Sequence, residues 1–97
     1  MNNSQSIMIE KISCEEIMDI SVAGDFYKKL KKSMEMNVPI TIDAENVERA
    51  DTAILQVLYS FFQEASSRGI DVSWNNPSER LRVSARIIGV DEALRLK

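Results

Sequence analysis

The sequence predicts a single α/β domain over residues 1–97, built from about four strands in a mixed sheet and three to four helices. Three observations predict it. The chain has 97 residues, 44% of them apolar, which is enough for one domain with a core of its own. Short alternating or β-branched runs are separated by stretches of helical periodicity, the order found where parallel neighbouring strands lie under helices. The three glycines and two prolines fall near the boundaries of those stretches, and no internal repeat or low-complexity segment interrupts them.

Residues Ser6 to Ile12 carry Ile7, Ile9 and Ile12 in near alternation, which predicts a strand. Glu16 to Ile20 predicts a second, shorter one. Ser21 is a suitable N-cap for the helix that follows, and Asp25 suits its positive end. Val22, Phe26, Leu30 and Met34 recur at four-residue steps on one face, while Lys28, Lys29, Lys31 and Lys32 crowd the other and the C-terminal half. Those lysines read either as a solvated helix face or as a basic patch for anionic lipid or nucleic acid. Pro39 cannot continue the helix. Ile40-Thr41-Ile42-Asp43 is a β-branched run suited to a buried strand, and Ala44 to Ala50 is a loop with Val47 turned inward.

The clearest helix comes next. Ile54, Val57, Leu58, Phe61, Phe62 and Ala65 form one stripe, Asp51 or Thr52 stands where an N-cap is needed, and Gly69 suits a left-handed C-terminal position. Ile70, Val72 and Trp74 alternate with Asp71, Ser73 and Asn75 as a strand. Asn76-Pro77-Ser78 turns into a helix capped by Ser78, with Leu81, Ala85 and Ile88 on its inner face and Gly89 as its stop. Asp91 is placed to cap a final short helix carrying Ala93, Leu94 and Leu96.

Several function classes are disfavoured by what the chain contains. A net charge of −3, from 12 basic and 15 acidic residues, argues against a nucleic-acid binder. Cys14 is the only cysteine and there is no histidine, so the chain has no internal disulfide, no Cys–His or Ser–His nucleophile and no histidine metal ligand. Gly24, Gly69 and Gly89 are isolated and make no phosphate-cradling loop, so neither a nucleotide nor another cofactor is expected. No 18-residue apolar run is present, and Met1-Asn2-Asn3-Ser4 lacks the layout of a signal peptide, so a cytoplasmic protein without membrane insertion is expected.

The segment from Ile40 to Leu58, ITIDAENVERADTAILQVL, is the functional end of such a sheet: a strand ends in Asp43, a polar loop follows, and an Asp-Thr pair starts a helix. In this pattern the chain resembles STAS domains, the anti-sigma-factor antagonist family. Those domains carry a strand ending in Asp, a loop, and an Asp-Ser-Ser-Gly or Asp-Thr-Ala-Gly helix start. Gly69-Ile70-Asp71-Val72, Pro77 to Arg82 and Ile88 to Leu94 are similar to the rest of the family's pattern, so the resemblance covers most of the chain. It implies a STAS-like fold and a bacterial protein that binds a partner in signal transduction rather than catalysing a reaction. The settings it implies are an anti-sigma or kinase-like partner, a chemotaxis component, or a subunit of a phospholipid ABC transporter. By position the family's phospho-acceptor falls on Thr52. Ala53 lacks the second hydroxyl, and Ile54 stands in place of the family's glycine.

Thr52 has two readings on its own chemistry, as a hydroxyl capping the helix or as a phospho-acceptor and partner contact at an exposed helix start. Leu55 and Tyr59, four apart with Gln56 beside them, either form an apolar patch next to Thr52 or widen the buried face. Asp51, Thr52, Ala53, Leu55, Gln56 and Tyr59 are therefore the expected partner-binding residues. The alternatives are a structural subunit that forms homodimers, and an enzyme using carboxylates such as Asp43 and Asp51.

Overall fold

A computed structural model describes residues 8–96; Ser6 and Ile7 of the first expected strand lie outside them. Five strands and three helices follow in the order β1 (Glu10–Ser13), β2 (Ile17–Met18), α1 (Ile20–Met34), β3 (Ile40–Asp43), β4 (Arg49–Ala50), α2 (Thr52–Ser67), β5 (Val72–Asn75) and α3 (Glu79–Ile87). Strands β1, β3 and β5 make a sheet in that order, and β2 pairs with β4 in a second, two-stranded one. Every ladder among the described residues is parallel.

The register explains the alternation in the sequence. Ile12 lies opposite Ile42, and Ile42 opposite Trp74, so one face of the larger sheet is apolar. Ile12, Ile40, Ile42 and Val72 on that face are buried. The intervening residues line up as Lys11, Thr41 and Ser73 in one row and Ser13, Asp43 and Asn75 in the next, all exposed or half-buried. Thr41 Oγ1 and Ser73 Oγ lie 3.3 Å apart across this polar face. Phe26, Leu30 and Met34 of α1 meet Ile54, Leu58, Phe61 and Ala65 of α2 in the core, and the two helices pack together. Fully burying each of these large side chains contributes roughly 1.5–3 kcal/mol.

Helix α1 starts two residues earlier than its sequence suggests. Asp19, in extended backbone, is the N-cap; its Oδ1 accepts the Ser21 amide at 3.0 Å and the Ser21 hydroxyl. These two hydrogen bonds stabilise the charged carboxylate and hold the Asp19 pKa below its ordinary value. Ser21 thus donates to the cap and is not the cap itself. Helix α3 begins as expected: Ser78 Oγ accepts the Leu81 amide at 3.1 Å. The same hydroxyl donates to the Val47 carbonyl at 2.6 Å, and the Ser78 amide donates to Ala44 at 3.1 Å, so one residue ties α3 to the β3–β4 loop. Val47 is buried, as its place in that loop suggests. Gly69 and Gly89 follow α2 and α3 with positive φ.

The expected last helix is absent. Residues 91–95 form turns, because Arg95 adopts φ 56°, a left-handed conformation that no helix continues through. Leu94 and Leu96 are buried all the same, and their amides donate to Val90 and Asp91. The Trp74 indole donates to the Leu94 carbonyl at 2.7 Å while its ring stacks on Phe62 at 5.7 Å. Ile88 is a second correction. It ends α3 as the C-cap residue and is exposed, because the helix stops before its side chain can turn inward.

Candidate functional site

At the start of α2 the backbone changes from the short β4 strand to helix within two residues. Asp51 stands in the N-cap position with extended backbone, yet its side chain caps nothing. Its carboxylate is drawn instead to Arg49, whose Nε donates to Oδ1 at 2.9 Å and whose Nη2 lies 3.4 Å from Oδ2. That contact, with the Coulombic attraction it carries, raises the Arg49 pKa. Neither Asp51 nor Thr52 therefore caps α2 through its side chain, and the first turn keeps its amide groups directed outward with no side-chain acceptor.

Thr52 is exposed at the first helical position and Ala53 is half-buried beside it. Gln56 is exposed one turn on. Leu55 is only 1% exposed and belongs to the core, so of the two readings of Leu55 and Tyr59 the structure takes the widened buried face and not the surface patch. The reason is the width of the α2 stripe: Ile54, Leu55 and Leu58 all face inward, and Tyr59 packs half-buried at its margin. The Tyr59 hydroxyl accepts from Gln63 Nε2 at 3.0 Å.

The apolar surface near Thr52 comes from elsewhere in the chain. An open groove of about 520 Å³ runs past Asp51, Thr52 and Ala53, with Leu55 also among the residues that line it. Ile20 from the start of α1 and Ile87 and Ile88 from the end of α3 line its other sides. Ile20 is 74% exposed and Ile87 77%. Sequence reasoning missed both. Their one signal is that each stands off the buried stripe of its own helix, and only the fold shows that the two helix ends converge.

The remaining candidates are dispersed. Asp43 Oδ1 accepts the Glu45 amide at 3.1 Å and so organises its own loop. Asp51 lines the groove beside Thr52, and Asp43 is not among the residues that line it. Cys14 is half-buried next to the core; desolvation, then Asp43, push its thiol up to about 12 against the opposing pull of Lys29. No group of metal-ligating residues occurs among the described residues, and no described helix is long and apolar enough to cross a membrane.

A family model described as Mlab, STAS domain, matches residues 10–96. A crystal structure of a sulfate transporter family protein from Wolinella succinogenes has a similar fold, with a TM-score of 0.75 at 20% sequence identity. That likeness covers 93% of this chain and 75% of the other. No curated protein sequence matches the chain.

Proposed function

The chain belongs to the STAS domain family, and from that premise we propose that it is a non-catalytic regulatory module that binds a protein partner through the start of α2. The observation that carries this reading is the pair of exposed isoleucines, Ile20 and Ile87, beside the exposed Thr52. Large apolar side chains left in water around a polar centre mark a binding surface. Asp51, Thr52 and Gln56 supply the polar part of this surface, and Ala53, Ile20, Ile87 and Ile88 the apolar part. Leu55 and Tyr59 act from beneath, by fixing the α2 face.

Phosphorylation of Thr52 is the proposed switch. A phosphate there meets the free amide end of α2, which favours an anion, and Arg49 offsets part of the Asp51 charge nearby. The helix thus tolerates the modification while the apolar groove gains about two negative charges, so phosphorylation releases a partner and leaves the fold intact. The partner settings that fit are a transporter subunit, a chemotaxis component and an anti-sigma or kinase-like protein, all in the cytoplasm. The structural neighbour, a sulfate transporter family protein, lends weight to the first.

Affinity purification from the native host with wild type, Thr52→Glu and Ile87→Asp tests the reading, with bound proteins identified by mass spectrometry. The same partner is expected with wild type alone. Equal retention by all three forms moves the interface elsewhere. Light scattering that shows a wild-type dimer and an Ile87→Asp monomer assigns the groove to self-association instead.

A further inference from the structure

A second surface lies on the far side of α1, where β1 forms an edge of the larger sheet. The Glu10 and Cys14 amides donate inward, to Pro39 at 2.9 Å and Asp43 at 2.8 Å. In a parallel ladder the intervening residues then direct their backbone groups away from the sheet. Lys11 and Ser13 therefore present N–H and C=O groups outward, with no strand paired to them among the described residues. An unpaired edge of this kind is a template for another strand.

The ground beside that edge has a definite character. A groove of about 520 Å³ runs between β1 and α1, with Lys11, Lys29 and Lys32 in its lining and Glu10 as the one carboxylate. The three lysines are exposed, and none is in an ion pair among the described residues. Met36, 49% exposed, and Ile12 add an apolar strip, and Ile9 stands exposed just before β1. The chain as a whole carries a charge of −3, so this groove runs against the average of the molecule.

We propose that the β1 edge and its lysine-lined groove dock an extended acidic segment of a partner protein, which adds to the sheet as a fourth strand. Main-chain hydrogen bonds to Lys11 and Ser13 supply the register, and alternate side chains of the segment supply the choice of partner. Carboxylates on the side of the added strand that faces α1 meet Lys29 and Lys32, with Met36 at their margin. The alternate side chains pass Lys11 on the polar face of the sheet. The surface is separate from the Thr52 groove, so a partner seated there leaves Thr52 accessible.

The probe is a labelled hexapeptide of alternating glutamate and valine, with its lysine–valine counterpart as control, titrated onto the full chain. Ser13→Pro removes an outward N–H at an edge position where proline is tolerated, and K29E/K32E reverses the groove charge. Wild type is expected to bind the acidic peptide and not the basic one, more weakly as salt rises. Both variants are expected to lose at least tenfold, and the Lys11 and Ser13 amides to exchange more slowly in the wild-type complex. If circular dichroism shows Ser13→Pro unfolded, K29E/K32E and the exchange of those two amides decide. Undiminished binding by folded Ser13→Pro overturns strand addition, and absence of binding by wild type overturns the proposal outright. So does binding to phosphatidylserine vesicles that K29E/K32E loses and Ser13→Pro retains, or a wild-type dimer that Ser13→Pro dissolves.

Discussion

Replacing Ser78 with alanine removes one oxygen that serves two elements. The hydroxyl accepts the Leu81 amide at 3.1 Å as the cap of α3, and donates to the Val47 carbonyl at 2.6 Å. Loss of a serine cap costs about 1 kcal/mol. The stranded carbonyl of the buried Val47 costs about 1 kcal/mol more. The sum of about 2 kcal/mol corresponds to a fall in Tm of roughly 8–16 °C for a domain of this size. Urea unfolding followed by circular dichroism measures it, and the midpoint should move with no change in slope. Ser78→Asp separates the two contributions, since a carboxylate caps a helix as serine does and has no proton for Val47. It is expected to fall between wild type and Ser78→Ala. A loss below about 0.5 kcal/mol for Ser78→Ala, or equal stability of Ser78→Asp and wild type, refutes the double role.

The N-cap position of α2 should behave in the opposite way: Asp51→Asn is expected to change stability by no more than about 0.5 kcal/mol, because the carboxylate caps nothing and its ion pair with Arg49 is exposed. Trp74→Phe keeps a ring against Phe62 but strands the Leu94 carbonyl; a loss of about 1 kcal/mol is expected, with faster hydrogen exchange at the Leu94 and Leu96 amides. Cys14 stays a thiol until about pH 12 when folded, against an ordinary value of 9.0, so unfolding releases its proton in the window between. Its contribution to stability is complete below pH 9 and declines as pH rises towards 12, visible as the difference between wild type and Cys14→Ala. Disulfide-exchange reagents at pH 8 should modify it slowly when folded and readily in urea.

The parts of the fold that could be read in advance are those where one local signal suffices. The α2 stripe is legible because six apolar residues recur at helical spacing, and Ser78 because a hydroxyl follows proline at a helix start. Strand β4 is not, since two residues, Arg49 and Ala50, carry no period; only the pairing of Ala50 with Met18 makes them a strand. The start of α1 was displaced because Ile20, its first residue, is exposed and looks like the end of a strand. In the tail, burial of Leu94 and Leu96 was legible, whereas the left-handed turn at Arg95 was not, because arginine gives no hint of positive φ. Thr52 was found as a helix start. Its apolar surroundings were not, because Ile20 and Ile87 lie 67 positions apart in sequence and only folding brings them to one groove.

The tail has a consequence for how these molecules behave when crowded. Asp71 directs its carbonyl to Ile40 in β3, so Val72 faces the opposite way, and its carbonyl accepts from Arg95 at 3.4 Å. With Leu94 and Leu96 buried and Trp74 holding the intervening backbone, the C-terminal turns obstruct the β5 side of the sheet. Among the described residues the sheet is thereby directional, closed to newcomers at β5 and accessible at β1. Identical molecules meeting through their sheets have a single open flank each, which permits a pair and stops there. A chain loosened at Leu94 and Leu96 has two open flanks, and the same contact then propagates without limit.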